Sequence, residues 1–99
     1  MAYVIFEVPS EQQGKINTLI KDDLISRQSI LTRDARALNI DKDVSYVKIE
    51  GSEDALKRAE DIAKDLEFKK LSEKEATEVN DKIREQEDSA ADGMGLIFG

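Results

Sequence analysis

Two predicted strands bring four side chains together as the first candidate site in this sequence. Tyr3 and Ile5 alternate along one strand, and Tyr46 and Lys48 along another, so all four are expected on one face of a sheet. Aromatic residues on such a face stack on bases in RNA-recognition sheets. An apolar patch there also suits a protein partner, a homodimer or the chain's own C-terminal segment. With 2 tyrosines and no basic excess, the pattern favours protein contact or internal packing over a small ligand or RNA.

A second candidate site lies in the C-terminal segment, where apolar residues follow an acidic stretch. These residues are Met94, Leu96, Ile97 and Phe98. Because apolar side chains beside a charged helix are unfavourable in water, we expect them to add a strand or a plug to a partner or to the domain's own sheet. The alternative is a frayed terminus.

Most catalytic chemistries are excluded by composition. The chain has no histidine and no cysteine, which excludes disulfides, the usual zinc and haem ligands, and Ser-His or Cys-His nucleophile pairs. The 22 acidic residues are so abundant that no carboxylate pair stands out as an acid–base couple. The sequence therefore predicts no catalytic residues, no cofactor and no enzyme activity.

The arginines cluster around a predicted hairpin. The candidate basic patch comprises Arg27, Arg33, Arg36 and Lys48. Guanidinium groups bind phosphates and carboxylates in a two-pronged way, but nearby carboxylates such as Asp34 and Glu50 are available to neutralise the patch. The pattern is typical of a solvated, ion-paired sheet edge, where charges oppose aggregation between sheets.

One stretch has the ligand spacing of a calcium loop. Its candidate ligands are Asn39, Asp41, Asp43, Ser45 and Glu50. Val44 stands where such a loop needs glycine for its sharp turn, and the flanks are predicted strands rather than helices. We therefore predict a polar hairpin loop and no metal site.

Charge and length bound the class of protein. The 99 residues allow one domain, and the net charge of -7 disfavours binding to phosphate backbones. Charged residues make up 37% of the chain, which resembles the surface of a thermophile's protein; the alternative is a mesophile domain that its charges keep soluble. No apolar run approaches a membrane span, and the chain enters its first strand without a basic leader, so we expect no membrane helix and no signal peptide.

Hydrophobic periodicity predicts the N-terminal elements. Residues 2–8 alternate as a strand that ends at Pro9. Residues 10–25 have a helical stripe, with Ser10 and Gln13 as a capping box and Gly14 as a possible close approach. Residues 29–40 allow strand or helix; we predict a strand, because a turn joins them to the alternating strand at 45–50.

The C-terminal half contains the strongest helical signal. Gly51 ends the preceding strand, and Ser52 caps a helix whose apolar stripe extends from residue 55 to 66. Residues 67–71 are predicted as a short strand. Ser72 and Glu75 form a second capping box for a helix over 72–88, whose narrow stripe is Ala76, Val79 and Ile83.

The order of these elements predicts a ferredoxin-like βαββαβ sandwich, an α+β fold with an antiparallel sheet and two helices on one face. The domain is expected to span residues 1–71, followed by an acidic C-terminal helix and apolar tail at 72–99. The first strand and the second hairpin arm lie centrally in this arrangement. Their core residues are Val4, Phe6, Val8, Val47 and Ile49. The other face stays open unless a partner or the C-terminal segment covers it.

Two resemblances add to this picture. The stretch from Arg33 to Asp41, with Tyr46 to Ser52, resembles a family of small proteins from methanogenic archaea that has no assigned activity. The resemblance implies an archaeal cytoplasmic protein. The segment 8–20, with Gly14 after a strand, is similar to the first strand, loop and helix of ACT domains. That likeness implies a ferredoxin-like fold that binds amino acids and pairs through its sheet.

Together these observations predict a non-enzymatic protein-interaction or regulatory domain. Its partner is an unknown protein or a second copy of the chain, through the open sheet face. The alternatives are an ACT-like sensor of a small metabolite, using Gly14 and nearby backbone amides, and an RNA-binding sheet using Tyr3 and Tyr46.

Overall fold

The structure is a computed structural model that describes the backbone of residues 2–98 and the side chains of residues 2–86. Its centre is a four-stranded antiparallel sheet in the order β2-β3-β1-β4. The strands are β1 (Ala2–Pro9), β2 (Ser29–Asp34), β3 (Val44–Gly51) and β4 (Lys69–Lys70). The first strand and the second hairpin arm are central, as the sequence predicts.

The strands differ in how much of their length is paired. All eight residues of β1 pair with β3, from Ala2 opposite Gly51 to Pro9 opposite Val44. All six residues of β2 pair with the other side of β3. By contrast, β4 contributes two residues, opposite Phe6 and Glu7 of β1.

Within residues 2–98, three α-helices are divided between the two faces of the sheet. They are α1 (Ile16–Ile20), α2 (Glu53–Asp65) and α3 (Glu73–Phe98). The fold is therefore α+β, as predicted, with α1 and α2 on one face. The main core residues of that face are Val4, Phe6, Val8, Ile16, Leu19, Ile25, Val47, Ile49, Ala59, Ala63 and Phe68.

The second face of the sheet is covered by α3, which the sequence left as one of its alternatives. Its core comprises Ile5, Ala35, Leu38, Tyr46, Leu71, Ala76, Val79 and Ile83. The narrow stripe predicted for the C-terminal helix thus supplies the last three of these residues. The described helices include none that is long and apolar enough to cross a membrane.

The single helix predicted over residues 10–25 is wrong. The segment forms a 3-10 turn (Ser10–Lys15), α1, and a second 3-10 turn (Ile25–Arg27). Ser10 makes no side-chain cap; its backbone N–H instead donates to Asp43 O at 3.1 Å. Gln13 likewise turns away, and its Nε2 donates to Ser45 Oγ at 2.6 Å. Tertiary partners thus outcompete the local capping box.

The break between α1 and the second 3-10 turn has a local cause. Asp22 Oδ1 accepts from the backbone N–H groups of Leu24 at 3.1 Å and Ile25 at 3.4 Å. A side chain that satisfies these donors favours a turn over continued helix. A Cβ at Gly14 would meet no atom within 4 Å, so this glycine is not required for a close approach.

The strand predicted over residues 29–40 ends at Asp34. A 3-10 turn (Arg36–Leu38) follows, and Asn39 has a left-handed conformation with φ of 62°. The strand was therefore the right alternative for residues 29–34, while the helical signal in 33–38 becomes a short turn. Burial of Ala35 and Leu38 against the second core fixes that turn.

The two capped helices begin as predicted. Ser52 Oγ accepts from Ala55 N at 3.3 Å at the start of α2. At the start of α3, Glu75 N donates to Ser72 Oγ at 3.2 Å, and Ser72 N donates to Glu75 Oε1 at 3.4 Å. This reciprocal pair is a capping box. The helix begins at Glu73 and extends beyond the predicted end, to Phe98.

Candidate functional site

The four residues of the predicted contact face lie together, but beneath or beside α3. Ile5 stands directly opposite Lys48, and all four share one face of β1 and β3. Ile5 is 0% exposed and Tyr46 is 3% exposed, whereas Tyr3 and Lys48 are half-buried. Ile5 and Tyr46 therefore meet another molecule only where α3 moves away.

Of these four residues, Lys48 makes a polar contact with α3. Lys48 Nζ donates to Asn80 Oδ1 of α3 at 2.6 Å. The same ammonium lies 5.1 Å from the centre of the Tyr3 ring, within the range of a cation–π contact. A further bond runs from Gln86 Nε2 to Ala37 O at 2.6 Å. Polar contacts thus fix the orientation of α3, whose buried side chains within residues 73–86 are Ala76, Val79 and Ile83.

A cavity of about 240 Å³ lies beside Tyr46, between β1 and α3. Glu7, Lys42, Tyr46 and Glu75 are among its lining residues. Burial raises the pKa of the Tyr46 phenol, and the carboxylates of Glu7 and Glu75 raise it further. The phenol therefore stays protonated and is suited to hydrogen bonding rather than to general base chemistry. The cavity is smaller than most drug-sized ligand sites.

The calcium-loop spacing does not assemble a metal site. Ser45 is 1% exposed, and its hydroxyl donates to Asp34 Oδ1 at 2.8 Å while accepting from Gln13. This polar cluster joins the first 3-10 turn to the β2–β3 hairpin. Among the residues whose side chains are described, no group of three or more carboxylates could hold a metal ion.

The predicted tail contact lies outside the described side chains. It consists of Met94, Leu96, Ile97 and Phe98, whose backbone falls within the bounds of α3. Whether these side chains meet the sheet or a partner stays a prediction.

The outer side of β2 is the open edge of the sheet, and hydrogen bonds show which groups point toward it. Leu71 N donates to Ile5 O at 3.0 Å, so odd-numbered residues of β1 face β4 and even-numbered ones face β3. Even-numbered residues of β1 pair with odd-numbered residues of β3, so the backbone groups of even-numbered β3 residues face β2. Those residues pair with odd-numbered residues of β2, whose N–H and C=O groups therefore face β3. The N–H and C=O groups of Ile30, Thr32 and Asp34 therefore point outward.

Two further bonds at strand ends agree with this alternation. Ser10 N, just past β1, donates to Asp43 O at 3.1 Å. Ala35 N, just past β2, donates to Val44 O at 2.9 Å. Even-numbered groups of β1 and odd-numbered groups of β2 thus both face β3, as the sheet interior requires.

The four residues of the predicted basic patch do not form one cluster at this edge. Arg27 and Arg36 are exposed in the turns before and after β2, while Lys48 is held by α3. Arg33 Nη1 donates to the Thr32 carbonyl oxygen at 2.9 Å. That carbonyl points outward, so one arginine side chain occupies an acceptor that a neighbouring strand would use.

The sequence analysis placed the candidate site on a sheet face and interpreted the edge around Arg33 as protected by ion-paired charges. The available signal was the run from Ser29 to Thr32, which has no proline, no glycine and no charge. Such a run gives an edge strand little protection against pairing with another strand.

Comparison with models of known families, with curated proteins and with solved structures finds no match to this chain.

Proposed function

We propose that this chain is a non-enzymatic protein-interaction domain that joins its partner by extending the sheet at β2. The observation that supports the proposal most strongly is the six-residue edge, whose outward backbone groups at Ile30 and Thr32 face no neighbouring strand of the sheet. An added strand satisfies such groups through main-chain hydrogen bonds, and alternate side chains supply specificity.

Burial at the edge agrees with this role. Ile30 packs partly against the core under α1 and α2, and Leu31 partly against the core under α3. Each side chain is half-buried, so apolar surface remains on both faces of the strand. A strand placed beside β2 would remove that surface from water, which favours association.

We also propose that residues 2–71 have a ferredoxin-like arrangement. The support is the chain order of strands and helices, the central position of β1 and β3, and the shared face of α1 and α2. In this proposal α3 is an additional helix beyond the ferredoxin-like unit. It packs on the second face of the sheet, over Tyr3, Ile5, Tyr46 and Lys48.

A small-metabolite sensor is the second candidate function, favoured by the cavity beside Tyr46. An ACT-like site at Gly14 has less support, because open space surrounds that residue. A ligand in hundredfold excess over its dissociation constant stabilises the fold by about 2.7 kcal/mol, which a thermal-shift screen of amino acids detects. An RNA-binding sheet has the least support, since Tyr46 is buried under α3.

The interaction proposal is tested with tagged baits in an extract of the source cells. Thr32→Pro removes an outward N–H and leaves the ladder to β3 intact, while the matched Thr32→Val keeps that N–H. We expect wild type and Thr32→Val to retain a common set of partners that Thr32→Pro loses. Identical partners for all three baits would contradict a role for the β2 edge.

A further inference from the structure

We propose that the strand added at β2 is β2 of a second copy of this chain, so that two sheets join into one across a two-fold axis. This inference rests on the proposed interaction function and names its partner. In a two-fold dimer the same surface of each copy forms the contact, so β2 must be complementary to itself. Of the symmetric registers available to β2, its sequence favours one.

In that register Leu31 lies opposite Leu31 of the second copy, on the face that carries α3. Ile30 lies opposite Thr32 of the second copy, and these outward-facing residues exchange their N–H···O=C bonds. Cross-strand pairs of aliphatic and β-branched residues are the favourable kind. The half-buried apolar surface of Ile30 and Leu31 is thereby covered on both faces.

The neighbouring symmetric registers are less favourable. A shift in one direction places Leu31 opposite Arg33 and Ile30 opposite Asp34, which pairs apolar with charged side chains. A shift in the other direction places Ile30 opposite itself and leaves little of the strand overlapped, because β2 begins at Ser29. Side-chain pairing and overlap therefore select the Leu31-centred register.

Charge complementarity supports the same register. Arg33 of the second copy lies opposite Ser29, and Ser29 pairs with Glu50 of β3. The two strand spacings separate the Cα atoms of Arg33 and Glu50 by about 10 Å, which two long side chains span across a small serine. Among the described ion pairs, none uses Glu50.

Arg33 changes partner in this dimer. In the single chain its guanidinium donates to the Thr32 carbonyl and covers the edge. In the dimer that carbonyl accepts from Ile30 of the second copy, and the guanidinium turns to Glu50 across the interface. Arg33 thus occupies the Thr32 carbonyl in the single chain and stabilises the Leu31-centred register in the dimer.

Cysteine cross-linking tests the register, because the chain has no native cysteine. Leu31→Cys places two thiols on residues whose Cα atoms are about 4.5 Å apart, within the range of a disulfide. Thr32→Cys places them at least about 7 Å apart, and Lys57→Cys, exposed on α2, reports random collision. We expect rapid cross-linking of Leu31→Cys alone. Equal rates for the three variants would overturn the register.

A charge exchange tests the interface independently of any thiol. Arg33→Glu or Glu50→Arg creates like charges across the axis, and we expect each to weaken dimerisation about tenfold or more. The double variant restores opposite charges and should return the dissociation constant to within about threefold of wild type. Additive losses in the double variant would show that these residues do not meet.

Sedimentation of the wild-type chain distinguishes failure of this inference from failure of the proposed function. We expect the mass to rise with concentration toward that of a dimer, and Thr32→Pro to stay a monomer while Thr32→Val does not. A wild-type monomer up to about 1 mM would overturn the homodimer. If Thr32→Pro bait still loses its cellular partners, the interaction function survives with a different partner.

Discussion

The two edges of the sheet are protected in opposite ways. At one edge, β4 offers two residues, Lys69 and Lys70, both exposed and charged. Lys69 pairs with Glu75 at 3.5 Å, Lys70 pairs with Glu60, and the chain turns at once into the capped α3. At the other edge, β2 presents six residues, and among their outward groups the Thr32 carbonyl accepts from the Arg33 guanidinium.

This difference indicates where the fold leaves room for another molecule. Short strands, exposed lysines and an adjoining helix are the means by which proteins prevent pairing between edges. The β4 edge has all three, whereas the charged residues of the longer β2 edge are Arg33 and Asp34, at its end. In our proposal, β4 is therefore the protected edge and β2 is the edge that pairs with a partner.

The largest expected effect separates inward from outward groups of β2. Arg33→Pro removes an N–H that faces β3 and leaves the carbonyl of Tyr46 unpaired, so we expect a loss of about 3 kcal/mol in the free energy of unfolding. Thr32→Pro removes an outward N–H and should cost about 1 kcal/mol or less. Urea denaturation measures both. Equal losses would show that the alternation along β2 has been assigned wrongly.

Core burial provides the next contrast between the edges. Leu71 follows β4 and is 4% exposed, whereas Leu31 on β2 is half-buried. We expect Leu71→Ala to lower the free energy of unfolding by about 2–3 kcal/mol and Leu31→Ala by about 1 kcal/mol. These values apply to dilute protein, where β2 is unpaired. A larger cost at Leu31 would place that residue in the core of the single chain.

The capping box beside β4 gives a smaller, pH-dependent effect. Ser72→Ala should cost about 1 kcal/mol in the free energy of unfolding. The backbone N–H and hydroxyl of Ser72, with the charge of Lys69, lower the pKa of Glu75 below the ordinary value for a glutamate. Glu75 therefore stabilises the fold at pH values above that ordinary pKa, and its contribution is lost as the pH falls through the folded-state pKa.

The pH dependence is checked by comparing wild type with Glu75→Gln. The variant lacks the ionisable group, so the stability difference between the two proteins should shrink as the solution is acidified below pH 4.5. If the difference in the free energy of unfolding stays constant across that pH range, Glu75 does not contribute to the loss of stability in acid.

The smallest expected effect concerns the connections next to the two edges. Glu67, before β4, and Asn39, after β2, both have φ of 62°. Asparagine tolerates this conformation and glutamate does not, so Glu67→Gly relieves about 1–2 kcal/mol of backbone strain against a smaller entropic cost. We expect a net gain of about 0.5 kcal/mol for Glu67→Gly and no gain for Asn39→Gly in thermal denaturation. The reverse order would contradict this account.

Much of the sheet and of α2 could be predicted from sequence, because periodic burial is a local signal. Alternation identified β1 and β3, and the stripe from residue 55 identified α2. The predicted core residues Val4, Phe6, Val8, Val47 and Ile49 are all buried in one cluster. These elements each bury one regular face, so pattern and structure agree.

The failures occur where side chains find partners far along the chain. Gln13 was predicted to cap its own helix, yet it bonds Ser45, which is 32 residues away. The narrow stripe of α3 was predicted, but its place over Ile5 and Tyr46 depends on tertiary packing. By contrast, the edge position of β2 followed from the predicted order of the elements, because an edge is a property of the assembled sheet and not of one segment.

Amide hydrogen exchange along β2 tests the central claim most directly. In dilute protein the N–H groups of Leu31 and Arg33 are bonded to β3 and exchange slowly, while those of Ile30 and Thr32 exchange fast. As concentration rises, we predict that Ile30 and Thr32 slow markedly and the other two change little. Fast exchange at Ile30 and Thr32 at every concentration, with no added partner, would contradict pairing between copies at this edge.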